Sequence, residues 1–161
     1  MRLATVLTSL ITAMLAATAA AGPSDGGGFS LPGASDKPDS ASDLVDIKLV
    51  SSVNEITPGE QFLLAVVFEI DPHWHIYWKS PGDSGAPTEV RITAPDGFTV
   101  GDTRFTRPKR FVDGDDVTFG YEQQCALFVP VTAPDDTPAK EAKFTAKTDY
   151  LTCKKLCLIG H

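Results

Sequence analysis

From residue 44 onward the chain alternates short apolar stretches with turn-forming residues. Val45, Ile47 and Leu49 stand between polar neighbours, the period of two that lays one face of a strand on a core. Thr57-Pro58-Gly59-Glu60 then predicts a turn. Gln61 to Ile70 is a longer, nearly continuous apolar run rich in Val and Phe, the pattern of a central strand covered on both faces. After Asp71-Pro72, residues His73 to Trp78 predict another strand, which Lys79-Ser80-Pro81-Gly82 should break. In that strand His73, His75 and Tyr77 share one face and Trp74, Ile76 and Trp78 the other. Burial preference puts the second set in the core and the histidines at the surface. Thr88 to Ile92, Phe98 to Val100, Cys125 to Val131 and Lys143 to Leu151 complete the predicted strands, with Pro and Gly between most of them. No stretch sustains a period near 3.6 residues with helix caps. Short strands at this spacing predict an all-β fold, a sandwich of immunoglobulin-like type.

The N-terminus reads differently. Met1 and Arg2 precede an uncharged run from Leu3 to Leu15, and Ala19-Ala20-Ala21 offers a small-residue cleavage site. This is the pattern of a signal peptide over residues 1–21, and it implies export. The run is shorter than the roughly 20 residues that span a bilayer, and no basic stop-transfer flank follows, which weighs against an anchoring helix. Residues 22–43 are mostly Gly, Ser, Asp and Pro and predict a flexible linker, since they hold too little apolar surface to offset their own ordering entropy. A strand lying across the sandwich is the other reading of this stretch, against which Gly26-Gly27-Gly28 argues. One domain remains over residues 44–161, long enough to bury a core. A net charge of −7 excludes a phosphate-binding face, so no nucleic acid is expected as a partner. Lys109 and Arg110 read as a solvated charge pair.

Three cysteines carry the candidate chemistry. An exported protein meets an oxidising compartment, where paired cysteines become disulfides and an odd count leaves one thiol over. Cys153 and Cys157 are the natural pair. In a continuous strand they would lie about 13 Å apart, whereas a disulfide needs Cα atoms within about 7 Å, so Lys154-Lys155-Leu156 must turn. Lys154 and Lys155 would stabilise a thiolate there, the attacking form in thiol–disulfide exchange. On spacing alone a small structural disulfide or two unrelated thiols remain open, because C-x-x-x-C is a weak motif. A bridge placed for stability would preferably close a longer loop. Cys125 lies in the apolar run Ala126-Leu127-Phe128-Val129 and reads as a buried free thiol with a raised pKa.

Several segments occur together in one order: His73-Trp74-His75-Ile76-Tyr77-Trp78-Lys79-Ser80-Pro81-Gly82-Asp83-Ser84-Gly85, Pro95-Asp96-Gly97-Phe98, Arg107-Pro108-Lys109-Arg110-Phe111, Gly120-Tyr121-Glu122 and Tyr150-Leu151-Thr152-Cys153-Lys154-Lys155-Leu156-Cys157. In this combination the chain resembles the N-terminal periplasmic domain of the DsbD family of thiol:disulfide interchange proteins, in the C-x-x-x-C branch linked to copper tolerance. The resemblance implies an immunoglobulin-like periplasmic domain that takes electrons through a membrane-embedded reductase domain. It hands them to periplasmic thioredoxin-like proteins, such as disulfide isomerases and the reductases of cytochrome c maturation. It implies Cys153 and Cys157 as the catalytic pair, no cofactor beyond that disulfide, and an aromatic cap loop over the pair. The stretch Phe111 to Tyr121 resembles the cap, with Phe111, Phe119 and Tyr121 as its rings and His75 and Tyr77 lining the site. Relatives continue after the second cysteine with Ile-Pro or Tyr-Pro, a further strand and the membrane domain, whereas this chain reads Leu158-Ile159-Gly160-His161. A truncated chain is therefore expected, without the last strand of the sandwich and without the membrane-embedded reductase domain. A different function class stays in view. Imidazole and thiolate suit copper and zinc, so Cys153 and Cys157 with His73 or His75 could form a metal-binding module. A purely structural, adhesion-like sandwich ranks third.

Overall fold

The apolar run at Gln61–Ile70 forms a strand with the predicted bounds, and it is the strand to which the first sheet is anchored. A computed structural model of the chain describes residues 38–136 and 141–161. The expected signal peptide and the linker up to residue 37 lie outside the described residues. In chain order the strands are β1 (Val45–Ser51), β2 (Gln61–Ile70), β3 (His75–Gly82), β4 (Glu89–Thr93), β5 (Thr99–Val100), β6 (Arg104–Phe105), β7 (Lys109–Asp113), β8 (Asp116–Glu122), β9 (Gln124–Thr132), β10 (Thr145–Cys153) and β11 (Cys157–Gly160). One sheet runs β1-β2-β9-β5, with β6 also on β9, and the other runs β11-β10-β3-β8-β7, with β4 also on β10. Every strand pair is antiparallel, so the all-β sandwich expected from the spacing is the fold. Among the described residues no helix is long and apolar enough to cross a membrane.

Strand β2 is held on both edges, by β1 and by β9. Its faces are not equally covered, contrary to the reading of the run as buried on both sides. Phe62, Leu64, Val66, Phe68 and Ile70 are buried, and Leu63, Ala65 and Val67 between them are only half-buried. The apolar residues of the second face cover an outer surface of the sheet, where a β-branched residue such as Val67 is favoured by strand propensity without full burial. Across the sandwich the Phe68 ring meets the Tyr150 ring of β10 edge-on, centroids 5.9 Å apart. Val66, Ile76, Tyr121 and Leu127 complete this main core, which thus joins both sheets. A smaller cluster is formed by Phe62, Leu64 and Val131, with Phe98 and Phe144 packed against it and the Phe144 ring edge-on to those of Phe62 and Phe98.

Four differences from the sequence reading have physical causes. Residues 41–43, assigned to the linker, form a turn of 3-10 helix capped reciprocally by Ser40 and Asp43, and Ala41 is buried against the main core. Strand β3 starts at His75 because His73 adopts a left-handed backbone, φ 73°, in the turn that Trp74 closes onto Asp71. At its other end β3 continues through Pro81 to Gly82. Its register with β8 slips between Tyr77 and Gly82, so Pro81 sits outside the regular ladder, where its missing N–H breaks no pairing. Residues Phe111 to Tyr121, expected as a cap loop, lie in the hairpin β7–β8, with Asp113 opposite Asp116 and Gly114 at φ 62° in the turn. Asp-Gly is a strong hairpin signal, and the density of acidic residues around it obscured the alternation on either side. Where the resemblance implies a further strand after the second cysteine, the short β11 pairs with β10.

Phe68 fills the centre of the core with no exposed surface. Phe68→Ala should therefore cost about 3–5 kcal/mol of unfolding free energy. Equilibrium urea denaturation measures this, and a loss below about 1 kcal/mol would show that the two sheets do not depend on that ring.

Candidate functional site

Strand β10 ends on Cys153 and β11 begins on Cys157, and the two residues face each other directly across the ladder. Their Cα atoms are 4.2 Å apart and their sulfurs form a disulfide. Lys154, Lys155 and Leu156 make the connecting turn, closed by a 3.0 Å hydrogen bond from the Lys154 N–H to the Leu156 carbonyl. The turn required by the cysteine spacing is thus present. The two cysteines differ in exposure: Cys153 is only 3% exposed, while Cys157 and the two lysines are exposed.

On its other edge β10 pairs with β3, which sets His75 directly opposite Cys153. His75 in turn faces Glu122 of β8. Directly opposed residues in antiparallel strands point to the same face. Cys157, Cys153, His75 and Glu122 therefore form one row across four neighbouring strands. The His75 ring is sandwiched by aromatic groups. Phe111 of β7 stacks on it at 5.0 Å and 26°, and Tyr77 meets it edge-on at 5.1 Å. Burial pushes the imidazole below its ordinary value of 6.5, and the Glu122 carboxylate opposes that shift without reversing it. Glu122 is ion-paired with Lys109 from β7. Lys109 and Arg110 are both exposed, as expected of solvated charges, and Lys109 in addition pairs with Glu122.

Tyr77 is buried, with its phenol raised by burial, because its ring lies flat against the backbone at Gly85. A Cβ at Gly85 would come within 2.3 Å of that ring, and φ there is 95°, so both the space and the backbone call for glycine. The three rings expected to form a cap separate. Phe111 reaches His75, whereas Phe119 packs against Trp78 at 6.5 Å. Tyr121 lies in the main core, where it is paired with Ile76 and its hydroxyl donates to the Thr106 carbonyl at 2.8 Å. Burial pushes its phenol up to about 12. As site-lining residues Phe119 and Tyr121 are corrected: strand alternation turns both to the inner face of the sheet, opposite to Phe111. Phe111 is the ring of the hairpin that reaches this row, through its stack on His75.

His73 is exposed in its turn, outside β3, and does not share the face of His75 as the strand reading required. Among the described residues no group of three or more His, Cys, Asp or Glu side chains is placed to hold a metal ion. Cys125 sits in the other sheet, opposite Phe68, and is a buried free thiol that burial pushes up to about 12. Glu122 and Lys109 were the site residues that sequence reasoning did not single out. Gln123, the residue after Glu122, has a left-handed backbone, φ 65°, and marks the point where the chain leaves this sheet for β9.

The family model described as the N-terminal part of the thiol:disulfide interchange protein DsbD matches residues 46–161. Among solved structures, that of the N-terminal periplasmic domain of ScsB from Proteus mirabilis is similar to this chain, with a TM-score of 0.53 at 19% identity. The match covers 73% of this chain and 44% of that one, so the chain spans less than half of its length. At that identity the likeness speaks for the fold alone. No curated protein matches the sequence. With a family match over most of its length, on the same sandwich and with a disulfide closed between its last two strands, the chain belongs to the DsbD N-terminal family of thiol:disulfide interchange domains.

Proposed function

We propose that this domain relays electrons by thiol–disulfide exchange through Cys153 and Cys157. In this reading the chain is exported by a cleaved signal peptide and works in the periplasm. It accepts electrons from a membrane-embedded reductase and passes them to thioredoxin-like proteins, such as a disulfide isomerase or a reductase of cytochrome c maturation. The observation that carries the proposal is the unequal exposure of the two cysteines, with Cys153 3% exposed and Cys157 an exposed residue. An incoming thiolate can reach Cys157 first. Its sulfur bonds to that of Cys157, the Cys153–Cys157 bond breaks, and its electron pair remains on Cys153. In the reverse direction reduced Cys157 attacks the disulfide of a partner, and Cys153 then displaces that partner. Lys154 and Lys155 flank the pair and favour the thiolates formed in both directions.

A purely structural role is less well supported. The bridge closes a turn of only Lys154, Lys155 and Leu156 between strands that already pair, and short loops gain least from closure. No observation favours the metal-binding module. Phe111 stacks on His75, the residue opposite Cys153, and in this reading shields that side of the pair while Cys157 stays exposed.

Two outcomes test the proposal. Cys153→Ser should trap a covalent complex with a thioredoxin-like protein through Cys157, and Cys157→Ser should form none; non-reducing gels with mass spectrometry read both. Trapping by Cys157→Ser instead would reverse the assigned roles, and loss of trapping in both would end the exchange reading. Phe111→Ala removes a ring contact of about 1 kcal/mol and should speed reduction of the disulfide by dithiothreitol about fivefold. An unchanged or slower rate would show that this ring does not cover the pair.

A further inference from the structure

Cys153 poses a problem for exchange. A buried thiol resists ionisation because its charged form loses hydration. Cys125 shows the size of the effect in this fold: at 7% exposure, burial pushes its thiol up to about 12. Cys153 is 3% exposed, so burial opposes ionisation of its thiol once the bond is reduced, unless a base stands beside it. His75 occupies that position. It lies directly opposite Cys153 in the β3–β10 ladder, and directly opposed residues have Cβ atoms about 4.5–5.5 Å apart on one face. Phe111 and Tyr77 hold its ring from two sides. The other titratable groups around it are Glu122 from β8, Lys109 from β7 paired with Glu122, Tyr77 on its own strand, and Lys154 next to Cys153. Glu122 stands one strand further from the sulfur and is engaged by Lys109.

We infer that His75 is the general base for Cys153, taking the thiol proton in the step that releases the partner. The inference rests on the exchange reading above. In the mixed disulfide the partner sulfur is bonded to Cys157. Neutral imidazole accepts the Cys153 proton, and the Cys153 thiolate attacks the Cys157 sulfur. The Cys153–Cys157 bond re-forms, the Cys157–partner bond breaks, and the partner leaves with the electron pair as a thiolate. That thiolate is protonated by the imidazolium or by water, so the electrons balance within the two sulfur–sulfur bonds. Because burial holds His75 below 6.5, its base form is populated at neutral pH and is lost as the pH falls through that lowered value.

The test mixes the reduced full chain with glutathione disulfide and follows the lifetime of the Cys157–glutathione adduct by acid quench and mass spectrometry. His75→Gln should lengthen that lifetime about a hundredfold at neutral pH, while adduct formation, read in a Cys153→Ser background, stays at the wild-type rate. In the unaltered chain release should slow as the pH drops below the His75 midpoint, and the variant should lose that inflection. Equal lifetimes in both chains, or equal slowing of formation and release, would overturn the inference and leave exchange intact. A wild-type chain that forms no adduct contradicts the exchange reading and the inference with it. Should His75→Gln fail to fold, the unaltered chain still decides. The nuclear magnetic resonance midpoint of His75 should move when the disulfide is reduced and a thiol appears beside the ring, and an unmoved midpoint would overturn the inference.

Discussion

Pairing of β10 on both edges is the constraint on which the site depends. On one side β11 brings Cys157 opposite Cys153, and on the other β3 brings His75 opposite the same residue. A slip of one residue in either ladder would turn the partner to the other face of the sheet, and the sulfurs or the imidazole would part. The register is secured from the core side. Between the site residues, Thr152 and Ile76 are fully buried, and Tyr150 packs on Phe68 in the opposite sheet. Gly160 makes room for this, since a Cβ there would fall 2.1 Å from the Tyr150 ring. The reactive face and the packed face of β10 are thus two sides of one alternation.

This arrangement keeps the free thiol of one sheet apart from the disulfide of the other. Cys125 is buried among apolar residues of the other sheet, with its proton held by desolvation. Cys153 is equally buried, yet it sits at the end of a strand, bonded to an exposed sulfur and facing an imidazole. In the proposed exchange, reactivity would follow from position at the end of β10 rather than from exposure of both cysteines. The hairpin β7–β8 contributes from the far side, with Phe111 on His75 and Lys109 on Glu122. It is also tied to the end of β3, where the Asp83 carboxylate accepts from the Val117 N–H at 2.8 Å.

The sequence disclosed the elements better than their meeting points. Strand β2 was legible to the residue because its apolar run is long and bounded by a turn signal. The Cys153–Cys157 pair was legible from the odd cysteine count and the family resemblance, and its turn from disulfide geometry, since a continuous strand would hold the two too far apart. His75 and Tyr77 were correctly set on one face by the period of two, but His73 was not, since its left-handed backbone leaves the strand pattern. The choice of Phe111 over Phe119 depends on how β8 registers on β3, and the row of Cys153, His75 and Glu122 joins residues far apart in the chain. Register between distant strands is set by packing of the whole core, which no local pattern encodes.

The central claim, that Cys153 and Cys157 form a reversible redox pair while Cys125 stands apart, is tested most directly by redox equilibrium. The folded chain is incubated in glutathione buffers of graded poise, quenched, alkylated and analysed by mass spectrometry. The account predicts one two-electron transition, reached identically from the oxidised and the reduced side, with Cys153 and Cys157 labelled together and Cys125 labelled only after unfolding. A disulfide that resists every buffer until the chain unfolds, or a bridge that includes Cys125, would contradict it.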